Sequence, residues 1–301
     1  MKTHLDCLPC FLKQALTAAR FVTDDEARQA TILRQVLREA AQMDLNAPPP
    51  VMGYKIHKAL REATGDPDPY KEAKRRFNAL ALRLLPEVRK KIQAAADPWD
   101  AATRVAIAAN VIDFAIRGRI QEESVYEFID QFLEMPLHGD PKLLHQAIEN
   151  AQSILFLTDN AGEIVFDRLL LEQMPLDRVT VAVKGGPVIN DATMEDAREA
   201  GLPELVRVID NGADAPGTLL PFCSLEFRKY FEGVDLIIAK GQANYESLSD
   251  TERPVFFLLK IKCPVVAADT GLSMGSLALL RTAATDILLT SAARGPATQP
   301  L

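Results

Sequence analysis

From about residue 151 onward, short runs of β-branched and aliphatic residues alternate with stretches of helical character. Four of the runs end in polar clusters. Residues 153–158 lead into Asp159-Asn160-Ala161-Gly162-Glu163, and residues 179–184 into Gly185-Gly186-Pro187-Val188-Ile189-Asn190-Asp191. Residues 206–209 lead into Asp210-Asn211-Gly212-Ala213-Asp214, and residues 235–239 into Lys240-Gly241-Gln242-Ala243-Asn244. Apolar runs of this length, bounded by Gly, Asn and Asp, predict strands buried on both faces, as in a parallel sheet. Alternation with helical stretches at 163–174, 193–200, 224–231 and 245–249 predicts an α/β layered sandwich with right-handed crossovers. Ser224 and Gly233 are the expected caps of the third helix. Residues 255–259 and 265–268 predict two late strands.

The first half of the chain carries a helical period instead. Leu12, Ala15, Leu16 and Ala19 fall at helical spacing, as do Ile32, Val36 and Ala40. Asp97-Pro98 offers a helix start, since proline in the first turn forfeits no hydrogen bond. The following stretch, 101–116, is apolar nearly all round and predicts a buried helix, with Asn110 and Asp113 three apart on one face. Those two read equally as a structural hydrogen-bond pair or as a roof over the substrate side. Pro-rich breaks stand at 47–50, 64–69 and 136–141. The expected organisation is an all-helical subdomain over 1–146 and an α/β/α domain with a mostly parallel sheet over 147–301.

Bulk properties remove several classes of function. A formal charge of −7 argues against nucleic acid as a partner, because that binding needs a basic surface. The basic stretch 71–76 reads as a solvated helix face. Neither a secretory leader nor a run apolar enough to span a bilayer is present, so no membrane association is expected. Four cysteines in 301 residues are no disulfide framework, and a reducing cytoplasmic setting is expected. Oligomeric state is not legible.

In parallel sheets, ligands bind outside the carboxyl ends of the strands, where the four clusters would converge. Asp159 and Asn160 present two hard oxygen ligands to one point, the donor set that a divalent cation such as magnesium or manganese accepts. An Asx turn capping a helix explains the same pair without any metal. Asp191 reads either as a further carboxylate for that ion or as a cap. Glu163 opens a helix whose N–H groups would face an anion. Asn211 reads as a turn or as a substrate contact. Lys240, followed by Gly241, is an ammonium at a strand end, suited to a phosphate oxygen, with a solvated lysine as the alternative. Lys184 is a weaker candidate for that task. Cys7-Leu8-Pro9-Cys10 has the spacing of zinc and redox sites, with Cys263 among the residues able to complete a second metal or redox site. Buried structural cysteines are the alternative. Patterns for seryl hydrolases, Walker-type ATP binding, zincins and dinucleotide binding are absent, so hydride transfer and ATP use are disfavoured.

Taken in order, these clusters resemble the metal-dependent damage-control phosphatase family. The resemblance runs from Leu5-Asp6-Cys7-Leu8-Pro9-Cys10 through Ala109-Asn110-Val111-Ile112-Asp113-Phe114 and the four strand-end clusters to Lys260-Ile261-Lys262-Cys263-Pro264. The opening is similar to the branch with an amino-terminal C-x-x-C. The resemblance implies a helical part packed on a three-layer α/β/α sandwich and one divalent ion, cobalt, nickel, manganese or magnesium. It implies Asp159, Asn160 and Asp191 as ligands of that ion and Lys240 as the phosphate lysine. The substrates it implies are small phosphate esters, sugar phosphates or damaged cofactor intermediates. The expected reaction is phosphomonoester hydrolysis, with Asp159 and Lys240 catalytic, and with Gly241, Asn211, Lys184, Asn110, Asp113 and Glu163 shaping the substrate side. Rival readings are a metal and phospho-ligand binding protein without turnover, and an S-adenosylmethionine-dependent methyltransferase.

Overall fold

The computed structural model describes residues 1–109, 130, 131 and 133–291. Asn110 and Asp113 lie outside the described residues. Seven strands form one sheet in the order β1-β7-β6-β5-β2-β3-β4. They are β1 (Leu137–His138), β2 (Ile154–Leu157), β3 (Val179–Val183), β4 (Arg207–Asp210), β5 (Leu236–Lys240), β6 (Val255–Lys260) and β7 (Leu277–Arg281). Every pairing is parallel except β6 with β7.

Alternate side chains of the strands enter opposite cores, as the period-two geometry of a strand requires. Ile154, Phe156, Val181, Ile238 and Phe256 pack on one face, under helices α4 (Lys71–Ala94), α5 (Pro98–Ala108), α6 (Pro141–Asn150), α7 (Glu163–Leu171) and α8 (Met194–Glu199). Leu155, Leu157, Ile237 and Phe257 pack on the other, against α9 (Leu225–Gly233), α10 (Gln242–Leu248) and α11 (Pro264–Thr270). The result is the expected three-layer α/β/α sandwich. A last helix, α12 (Thr285–Ser291), rests on α6 through Leu288 and Leu289 carbonyls that accept from Asn150 and Gln146.

The helical half divides between two cores. Helices α1 (Cys7–Val22), α2 (Glu26–Ala41) and α3 (Pro50–Thr64) close a small core of their own around Phe11, Ile32, Val36, Met52 and Ile56. Helices α4 and α5 belong instead to the sheet's core, and residue 146 falls within α6, whose Leu144, Ala147 and Ile148 are part of it. The helix starts follow their caps. Asp97 accepts from Asp100 N ahead of Pro98, and Ser224 accepts from Phe227 N.

Two expectations change. Residues 265–268 are helical, not a strand: Pro264 takes the first helical position and Cys263 Sγ accepts from Val266 N. A short apolar run cannot by itself separate the two states, and the late strand is Leu277–Arg281. Nor is the basic stretch 71–76 wholly solvated. Lys74 turns inward, 3.0 Å from Asp68 and 3.3 Å from Asp196, while Lys71 and Arg75 pair with Glu195.

Among the described residues no helix is long and apolar enough to cross a membrane.

Candidate metal and phosphate site

The chain runs from β2 to β3 to β4 in one direction, then returns to lay β5 on the other side of β2. That reversal opens a crevice beyond the carboxyl ends of β2 and β5, the place where open parallel sheets bind ligands. Asp159 lies just past the end of β2, and Lys240 and Gly241 at the end of β5. The two ends touch. A Cβ built on Gly241 would collide with the Asp159 carboxylate, and Gly241 has a φ of 81°. Only glycine allows this approach.

Asp191 reaches the same point from β3. Asn160 and Asp191 form an isolated antiparallel bridge, in which Ala161 N donates to Asn190 O (2.8 Å) and Ala192 N donates to Asp159 O (2.8 Å). Two backbone hydrogen bonds therefore clamp residues far apart in sequence. Just before Asp191, Ile189 holds a φ of 46°, the single positive value of a non-glycine residue among those described. A β-branched side chain in that region is strained, and such strain gathers at functional sites.

Asp159, Asn160 and Asp191 line one cleft of about 490 Å³, roofed by α1 and α3 through Cys7, Cys10, Phe11, Pro50 and Gly53. Both carboxylates are almost wholly buried. Burial, together with the neighbouring Glu163 and Asp191 carboxylates, holds the Asp159 carboxyl well above its ordinary range. Burial pushes Asp191 up to about 6 against the pull of Lys184. Asp191 Oδ2 has no hydrogen-bond partner, although Lys184 Nζ stands 3.4 Å away. Asn160 spends its amide nitrogen on Asp159 Oδ2 (2.8 Å) and Glu163 Oε2 (3.2 Å). Its carbonyl oxygen accepts no hydrogen bond among the described residues. Two crowded carboxylates and an unspent amide oxygen, all hard donors, suit a divalent cation. The donor set fits the ion that the family resemblance implies.

Other expected residues take different places. The Lys240 ammonium is fully buried and does not face the cleft: it bonds Glu163 Oε1 at 2.6 Å and Asp167 Oδ1. Burial alone disfavours that ammonium, but Asp167 and Glu163 outweigh the penalty and raise its pKa. Asn211 Oδ1 accepts from Gly185 N (3.1 Å) and Ala213 N (2.9 Å), so the side chain braces two turns. Lys184 also bonds Gly217 O, tying the 211–218 loop to Asp191. Three of the N–H groups around the start of α7, expected to face an anion, are engaged within the protein. Ala161 N is held by Asn190 O, Gly162 N by Asn78 Oδ1 (2.7 Å) and Ile164 N by Asn160 O (3.1 Å). Cys7, Cys10 and Cys263 all line the cleft, and all are free thiols. Burial raises both the Cys7 and Cys10 thiols. Among the described residues no group of three or more His, Cys, Asp or Glu side chains is arranged to hold an ion, the three thiols included.

Several residues that pattern reading overlooked complete the site. Exposed Lys262 stands in the cleft wall, and its charge opposes the upward shift of Asp159. Gln242 joins that wall by donating to Glu246 Oε1 (2.8 Å) and accepting from Lys262 N (3.1 Å). Burial lifts Glu246 to about 7. Asp167 is fully buried behind Lys240, and burial raises it to about 7 despite that neighbour. Asn244 bonds Thr158 O and Lys240 O, joining the ends of β2 and β5. Asp167 carried one signal: a carboxylate four residues after Glu163 on a helix whose other residues, Arg168 apart, are apolar.

Residues 3–277 match the Damage-control phosphatase ARMT1-like domain. The chain belongs to that family. It is 36% identical to a damage-control phosphatase of Pyrococcus horikoshii, over 93% of this chain and 98% of that one. It is 34% identical to a damage-control phosphatase of Archaeoglobus fulgidus (92% and 98% covered) and 37% identical to an uncharacterized protein of Methanocaldococcus jannaschii (93% and 96% covered). The crystal structure of a DUF89-family protein from Pyrococcus horikoshii superposes with a TM-score of 0.84 at 34% identity, covering 93% of this chain and 99% of that one. Family membership supports a phosphatase function.

Proposed function

We propose that this protein is a metal-dependent phosphatase of small phosphomonoesters, sugar phosphates or damaged phospho-metabolites among them, acting in a reducing cytoplasm. The observation that carries the reading is the clamp between Asn160 and Asp191, which sets Asp159 and Asp191 side by side in one cleft, with Asp191 Oδ2 accepting no hydrogen bond and facing only the Lys184 ammonium.

Asp159, Asn160 and Asp191 would hold the divalent ion, whether cobalt, nickel, manganese or magnesium. Such an ion supplies Lewis-acid polarisation of a phosphoryl oxygen. The protein's own residues do the rest. Burial of the two carboxylates keeps them poorly hydrated, so that a cation and its phosphate ligand replace water as their partners. Lys262, exposed in the same wall, is placed to neutralise a phosphoryl oxygen. Lys240 contributes charge from behind Glu163 instead of through a direct phosphate contact, because both carboxylates it touches would have to release it first. Lys184 balances Asp191 and fastens the loop over the cleft. Phe11, Pro50, Ile189 and Pro216 give the organic part of a substrate an apolar surface of modest size.

The deciding experiment follows phosphate release from p-nitrophenyl phosphate with added cobalt or manganese. Asp159→Ala that keeps its circular dichroism spectrum is expected to lose on the order of 10²-fold or more in turnover, as when one preorganised charge-stabilising group is removed. Wild-type turnover in that variant would sink the proposal. Tight ion and phosphate binding by the wild type with no released phosphate would make the protein a binder instead.

A further inference from the structure

Five side chains form a continuous hydrogen-bonded line from the cleft floor into the core. Asn160 Nδ2 donates to Asp159 Oδ2 at 2.8 Å and to Glu163 Oε2 at 3.2 Å. The other Glu163 oxygen accepts from Lys240 Nζ at 2.6 Å, and Lys240 donates onward to Asp167 Oδ1. Glu163 is 2% exposed, and Lys240 and Asp167 are 0% exposed. One cation buried between two carboxylates is a costly device, because desolvation offsets much of the attraction, and apolar residues of equal volume serve stability as well. Its use lies in what it holds.

What it holds is a carboxamide. The two ends of an amide are nearly equal in shape, yet only the oxygen can ligate a hard cation. Two carboxylate acceptors fix the nitrogen of Asn160 on their side, which leaves the oxygen as its free end. Glu163 can do this only while one of its oxygens is spared from Lys240. With Asp167 taking part of the ammonium's hydrogen-bonding capacity, Glu163 needs to give only Oε1. Without Asp167, the buried ammonium would draw on both Glu163 oxygens and compete with Asn160. We infer that Asp167, acting through Lys240 and Glu163, is a positioning residue that locks the Asn160 amide with its oxygen presented to the cation. This inference rests on the assignment of Asp159, Asn160 and Asp191 as ligands. Groups behind metal ligands commonly alter metal affinity by ~10–100-fold when removed.

The test measures ion affinity directly, by calorimetric titration of manganese into metal-stripped full-length protein. Asp167→Asn keeps the volume and removes the charge. It is expected to weaken manganese binding ~10–100-fold. At saturating manganese, kcat should return to within a few-fold of wild type, with KM for p-nitrophenyl phosphate unchanged. If Asp167→Asn fails to fold by circular dichroism, Glu163→Gln leaves one acceptor oxygen for Lys240 and Asn160 to share and is expected to give the same loss. A folded variant that melts earlier but binds manganese like the wild type overturns the inference and leaves Asp167 a purely structural residue. A wild-type protein that binds no divalent ion overturns the ligand assignment itself, which is a separate outcome.

Discussion

Asp159 is possible only because residue 241 has no side chain. The Asp159 carboxylate occupies the space a Cβ at 241 would fill. Gly241→Ala is therefore expected to displace Asp159 and reduce phosphate release ~10²-fold, the scale of losing one preorganised group. Gly65→Ala is a milder comparison, since a Cβ there meets nothing within 4 Å and its backbone is left-handed helical (φ 70°, ψ 8°), whereas Gly241 lies at φ 81°, ψ 166°. Wild-type phosphate release in a folded Gly241→Ala variant would contradict the expectation. Asp191 makes a second expectation. Its carboxyl sits near 6 in the folded protein, above the usual ~3.9. Protons therefore compete with a cation for this oxygen below pH ~6, and apparent manganese affinity should fall between pH 7 and pH 5. A titration showing no pH dependence over that interval would contradict the role of Asp191.

Helix α7 is anchored at its first turn as well as through its apolar residues. Gly162 turns the chain at φ 77°, and a Cβ there would meet Phe77 of α4 at 2.9 Å. Asn78, from the same turn of α4, accepts from Gly162 N and donates to Asp196 (3.0 Å) and Glu199 (2.6 Å) of α8. One amide thus links three helices directly behind the candidate site. Asn78→Ala leaves Gly162 N and Asp196 short of partners in a buried place, a loss of about 1–3 kcal/mol per stranded group. Thermal unfolding should show it as a marked drop in Tm, with ion affinity reduced as the turn at Gly162, next to Asn160, loses its anchor. An unchanged Tm would mean that water replaces the amide at no cost. Helix α5 offers a milder comparison: Asp97→Ala removes an exposed N-cap and should cost about 1 kcal/mol without touching the ion.

Across the whole molecule, the helices, the sheet and the small helical core meet at one acidic cleft, and that controls stability as well as chemistry. Asp159, Asp167, Asp191 and Glu246 all carry raised folded-state pKa values. A raised carboxyl means the folded protein binds its proton more tightly than the unfolded chain does. Stability from these groups is present at pH ~4 and is lost as pH rises through the folded values near 6 and 7. A divalent ion on Asp159 and Asp191 would offset part of that loss. The gain in Tm on adding manganese to metal-stripped protein should thus be larger at pH 7 than at pH 5, by scanning fluorimetry. An equal gain at both values would place the ion elsewhere.

Much of this was legible in the chain. Local features govern strand and helix identity, so the βα alternation, the caps at Asp97 and Ser224, and the strand-end clusters could be read from residue type and spacing. The segment 265–268 was misread because four apolar residues carry no period, and the cap that decided it was a cysteine. Strand order, by contrast, is a matter of which edges pair. No local signal states that β5 lies beside β2, yet that pairing opens the crevice and brings Lys240 and Gly241 to Asp159. Nor does an ammonium at a strand end announce which way it points. Lys240 reads like a phosphate ligand, and it turns inward because Glu163 and Asp167, one helical turn apart on α7, offer two carboxylates in a place without water. Residue chemistry was written in the sequence; direction and neighbourhood arose from packing, since burial and charge pairing depend on elements distant along the chain.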